Sequence, residues 1–128
     1  WYVTAKDSLL HVSAAGRIRT VATCDSCPGI VLSPDGSALF LADNGNLKIR
    51  RVEVATGAVT TLAGSGEEGD ADGVGDAAHF DGLAGIAVSP DGRALFVADF
   101  GNHKIRRVEV ATGSVTTIAG SGESGDAD

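Results

Sequence analysis

An all-β fold of consecutive four-stranded antiparallel sheets is what this 128-residue chain predicts, and two observations carry the prediction. The stretch Gly29 to Asp72 realigns on Gly85 to Asp128 at a shift of 56 residues, with nine differences over 44 positions. Most differences keep side-chain character, as in Leu41 against Val97 and Leu62 against Ile118. Within each copy, short apolar or β-branched runs alternate with Gly and Pro punctuation, at spacings too short for helices.

The second full unit shows the grammar. Ile86 to Val88 is an apolar run before Pro90-Asp91-Gly92, where proline presets φ and glycine relaxes the turn. Ala94 to Asp99 is a second strand that stops at Gly101-Asn102, and Lys104 to Val110 a third that stops at Ala111-Thr112-Gly113. Ser114 to Ala119 is the fourth, β-branched and half polar. Alternation in the third strand is imperfect: Val52 and Val54 share a face and Ile49 falls on the other, so a bulge near Arg50-Arg51 is expected, and again near Arg106-Arg107. Residues 1–22 read as a worn unit without its first strand: Tyr2 to Ala5, Ser8 to Ser13 and Arg17 to Ala22 are its strands. Three segments follow: 1–28, a degenerate unit with a cysteine-containing linker; 29–84, a full unit and an acidic linker; 85–128, a full unit and the opening of the next linker. In the linker, Asp76 to Phe80 predicts one helical turn with Phe80 as a plug.

Composition narrows the function classes. The net charge of −7 and 5% aromatic content argue against a nucleic-acid surface, and no apolar run approaches the roughly 18 residues of a membrane helix. The chain lacks methionine and stops inside a repeat, which fits a piece of a longer polypeptide.

A lone four-stranded meander cannot hide both faces, and stacking such sheets radially about an axis hides each against its neighbour. The fold class expected is therefore all-β, a partial β-propeller of four-stranded antiparallel blades. The stretch GIAVSPDGRALFVADFGNHKIRRVEVATGSVTTIAGSG, with the linker GSGEEGDADGVGDAAHFDGLAGIAV, resembles the NHL repeat. That family takes its label from an Asn-His-Leu triplet; here the triplets read Asn102-His103-Lys104 and Asn46-Leu47-Lys48. The resemblance implies a propeller of about six blades when complete.

Candidate chemistry is sparse. Asp43, Asn46 and Arg50 recur as Asp99, Asn102 and Arg106. A ring of acids could hold a metal, but the favoured role is structural, satisfying turn amides and pairing with a neighbouring blade. Asp70, Asp72 and Asp76 form a weak calcium candidate: acids alternate beside glycine, yet Val74 fills a ligand slot and no bidentate Glu closes the loop. Cys24-Asp25-Ser26-Cys27 is compatible with a redox dithiol, half a zinc site or a disulfide; the following Pro28-Gly29 and the lack of a second cysteine pair favour the disulfide, and with it an oxidising, extracellular or cell-surface location. His11, His79 and His103 fall at non-equivalent positions, and neither a nucleophile elbow nor a phosphate loop occurs.

The function expected is a non-catalytic interaction or scaffold module without a cofactor, meeting other proteins or further blades of the same chain, with no nucleic acid and no membrane insertion. The resemblance carries two alternatives: a propeller enzyme, lyase or hydrolase, with its active-site residues on other blades, and an RNA-binding domain.

Overall fold

The computed structural model describes residues 2–5, 8–12, 18–23 and 28–120. Its strands are β1 (Tyr2–Ala5), β2 (Ser8–Val12), β3 (Ile18–Thr23), β4 (Gly29–Leu32), β5 (Ala38–Asp43), β6 (Lys48–Glu53), β7 (Val59–Ala63), β8 (Gly73–Val74), β9 (Leu83–Val88), β10 (Ala94–Asp99), β11 (Lys104–Glu109) and β12 (Ser114–Ala119). They form three antiparallel sheets: β1-β2-β3, then β4-β5-β6-β7, then β8-β12-β11-β10-β9. Each sheet is a meander, to which β8 adds an edge strand in the third, and together they form an unclosed part of a β-propeller.

The chain reverses where the repeat grammar places its turns. In the first full blade Asp35 accepts from the Ser33 and Ser37 hydroxyls at 2.7 Å and from the Ser37 amide, fixing the Pro34-Asp35-Gly36 turn between β4 and β5. Gly36 there has φ +76°, a left-handed conformation that costs glycine little.

Stacking follows from β5, whose six residues are all buried. Leu39 and Leu41 face the first sheet in a cluster with Val52 and Tyr2, whereas Phe40 and Ala42 face the third with Ile49, Leu95 and Val97. Each such large aliphatic or aromatic side chain contributes about 1.5–3 kcal/mol on burial. The irregularity expected beside Arg50-Arg51 is present, but in the pairing of β6 with β7, while two-sided burial accounts for the imperfect alternation of β6 itself. Pairing of β5 with β6 is continuous from Ala38–Glu53 to Asp43–Lys48, and Ile49 and Val52 point to opposite sides because both sides are interior. The irregularity lies next door: the register of β6 with β7 shifts between Ile49 and Arg50, leaving Leu62 as the extra residue of the outer strand. The same shift recurs between Ile105 and Arg106, with Ile118 extra.

First strands of successive blades touch. A Cβ on Gly29 would stand 2.9 Å from both the Ala84 carbonyl oxygen and Ile86 Cγ2, so glycine permits β4 and β9 to close on each other. One repeat later, Gly85 has nothing within 4 Å. Among the described residues the corresponding face of the third sheet is more open: Ile105 is 39% exposed where its counterpart Ile49 is 0%.

The linker departs from expectation in two ways. Its helical turn is a 3-10 turn at Gly75–Ala77, one residue upstream and shorter than predicted, although Phe80 is fully buried. Just before that turn, β8 adds a fifth strand to the third sheet, pairing Val74 with Ser114 and Gly73 with Val115. The linker thus leaves β7 of one blade, straps the outer edge of the next and only then enters β9.

Candidate functional site

The acid, amide and arginine that recur every 56 residues converge in both full blades. Asp43 and Asp99 end β5 and β10, and the turn that follows swings Asn46 and Asn102 back over the carboxylate. To make that turn, Leu47 and His103 adopt left-handed backbone at φ 54°. In the first full blade Asn46 Nδ2 donates to Asp43 Oδ2 at 3.1 Å and Arg50 Nε donates to the same oxygen at 2.8 Å. In the second, Asn102 Nδ2 reaches Asp99 Oδ2 at 2.7 Å and Arg106 Nη1 reaches it at 2.8 Å.

The two sets differ in what covers them. Arg106 is fully buried beneath the strap, where Nη1 also donates to the His79 carbonyl and Nη2 to the Ala71 carbonyl and Asp72 Oδ1, each at 2.9 Å. Asn102 Nδ2 adds a bond to the Gly69 carbonyl, and Asp99 Oδ1 accepts from the Asp81 amide. The guanidinium stands 5.2 Å from the Phe80 ring centre, a cation–π contact that binds the plug to the same group. A planar fork donating to a carboxylate and to carbonyls at once is geometry lysine could not supply. Arg50, by contrast, keeps 24% of its side chain exposed, and its Nη1 makes a long contact to Thr61 Oγ1 at 3.5 Å.

The weak calcium candidates are drawn into the strap and do not converge on a common point. Asp72 Oδ1 and Oδ2 accept from the Thr117 hydroxyl and amide as well as from Arg106, and Asp70 pairs with Lys104 at 3.5 Å. Partial desolvation pushes the Asp72 carboxyl up, but Thr117 and Arg106 outweigh it and hold the group below the usual range. Asp76 is exposed in the 3-10 turn. Among the described residues no three His, Cys, Asp or Glu side chains come together to hold a metal ion. Cys24 and Cys27 lie outside the described residues. His11, His79 and His103 sit on β2, on the strap and in a turn respectively, with no shared site. A polar cleft of about 240 Å3, which repeat reading missed because it forms between units, opens between Asp35 of one turn and Asp91 of the next, with Arg51 on its wall.

The stacked sheets and the polar set that recurs in both full blades belong to a chain with clear relatives among known proteins. NHL repeat-containing protein 2 of Bos taurus is 37% identical over 103 residues, covering 73% of this chain. The chain belongs to the NHL-repeat family. It spans 14% of that relative's length. Two solved propellers share the NHL chain's fold: an auxiliary nutrient binding protein from Bacteroides thetaiotaomicron, with a TM-score of 0.75, 22% identity and 93% of this chain against 33% of that one, and virginiamycin B lyase from Staphylococcus aureus, with a TM-score of 0.60, 21% identity and 88% against 34%. No family model matches the sequence.

Proposed function

We propose that these NHL blades are a non-catalytic module that presents a rigid surface to protein partners within a larger extracellular or surface-associated assembly. The observation that supports this reading is the use made of the repeated polar set. Asp99, Asn102 and Arg106 are bonded to the strap and to one another, so their chemistry holds one blade to the next. Partly exposed beside them are acidic linker residues and third-strand cations, among them Arg51 and Arg107 paired with Glu53 and Glu109, a mixed surface suited to partners of either sign.

Crosslinking the full-length protein in its native source and mapping the links by mass spectrometry tests the module. Links from Lys48 or Lys104 to other proteins, unchanged by chelator, are expected. Turnover or ligand binding that chelator abolishes would instead favour an enzyme, whose fold the lyase shares. Thiol labelling of native material tests the location: both Cys24 and Cys27 reduced would remove the argument for an external setting.

A further inference from the structure

The strap shows what the outer edge of a blade accepts. On β12 it lays down Asp72-Gly73-Val74: Gly73 and Val74 pair with Val115 and Ser114, Gly75 N donates to the Gly113 carbonyl at 2.9 Å, and the Asp72 carboxylate takes the Thr117 hydroxyl and amide together with Arg106 Nη2. The residues that receive it recur on β7 as Ala58, Val59 and Thr61 with Gly57 and Arg50. There β7 is the last strand of its sheet. Val115 is 1% exposed and Val59 is 40%; Arg106 is buried and Arg50 is not. Two copies of one receptor surface therefore stand in the same molecule, one filled and, among the described residues, one bare.

We propose that the edge of β7 is a docking strand for an extended segment of a partner protein carrying Asp-Gly followed by a β-branched residue. This rests on the interaction-module reading and names its partner chemistry. Main-chain pairing with Ala58 and Val59 supplies the register, as in other strand additions to a sheet edge. Specificity comes from the carboxylate: Thr61 and the outward half of Arg50 receive it as Thr117 and Arg106 receive Asp72. The Asp-Gly-Val order follows the strap itself, whose Asp72-Gly73-Val74 is the segment seen to pair with the equivalent edge.

The probe is a synthetic peptide of residues 69–76, Gly-Asp-Ala-Asp-Gly-Val-Gly-Asp, titrated into the isotope-labelled 128-residue chain and followed by NMR. Amide shifts confined to Gly57 to Thr61 and to the Arg50 side chain are expected. Asparagine in place of the peptide residue corresponding to Asp72 should weaken binding about tenfold, as should Thr61→Val or Arg50→Leu in the protein. Thr61→Val lies on an exposed site and keeps the chain folded, which its own spectrum verifies. Shifts at Ser114 to Thr117 alone would mean that the peptide displaces the resident strap, and shifts nowhere would mean no receptor; either overturns the proposal. Native crosslinks to partners that persist in the Thr61→Val protein would leave the module standing while removing this edge from it.

Discussion

Replacing Arg106 and Arg50 separately by leucine asks whether the same residue type, one repeat apart, does different work. Both substitutions keep an apolar stem and remove a guanidinium. Arg106→Leu takes the counter-charge from Asp99, which is fully buried and keeps only the neutral Asn102 and Asp81 donors, and leaves the His79 carbonyl without its donor. Breaking a buried pair by removing one partner costs about 3–5 kcal/mol. Arg50→Leu also leaves a buried acid, Asp43, with its asparagine donor, but here water can reach the place of a side chain that was 24% exposed and solvate the charge. That loss should be about 1 kcal/mol. The expected gap is therefore at least about 2 kcal/mol, roughly 30-fold in the folding equilibrium. Urea unfolding of both variants measures it, with unchanged m values showing that the transition remains comparable. Adding Asp99→Asn to Arg106→Leu should restore part of the loss, because the stranded charge disappears. Equal losses from the two leucine variants would refute the reasoning that the strap makes Arg106 structural in a way Arg50 is not.

Three further outcomes follow from the same packing. Phe80→Ala should cost about 3–5 kcal/mol, since the ring is fully buried under Arg106, whereas Phe100→Ala, at a site 55% exposed, should fall within about 0.5 kcal/mol; thermal unfolding separates them. Gly101→Ala should destabilise sharply because its Cβ collides with the Asp81 carbonyl oxygen, while Gly85→Ala, with open space around it, should be tolerated in the same assay. Asp35, held down to about 2 chiefly by the Ser33 hydroxyl, has a folded pKa below its ordinary value of 3.8, so its contribution is complete above about pH 4 and is lost as pH falls towards 2; Asp35→Asn should flatten that acid limb of a stability profile.

Legibility in the sequence tracked how local the cause was. Strand order and the turns at Pro34 and Pro90 were readable because their signals sit within a few residues, and the Asp–Asn–Arg spacing was readable because it repeats. The strap's fifth strand was not: Gly73-Val74 is two residues long, and it pairs with Ser114-Val115 some forty positions away, on a unit whose own pattern is already complete. Nor was the fate of Asp72, whose acidic neighbourhood looks like solvated rim until Arg106 and Thr117 arrive from two other strands. The imperfect alternation of the third strand misled as to its cause, because alternation assumes one wet face, and Ile49 and Val52 have none. Left-handed Leu47 and His103 carry no glycine to announce them. The same locality explains why the bare edge of β7 escapes sequence reading: β7 and β12 have nearly the same residues, and only the strap distinguishes them.

Radial stacking is tested most directly by nuclear Overhauser contacts between units. The arrangement predicts cross-peaks from the Gly29 α-protons to the Ile86 γ-methyl, joining the first strands of two blades, together with cross-peaks from Asp72 to Thr117 across the strap. A folded protein that shows the contacts within each meander and neither of these would contradict it.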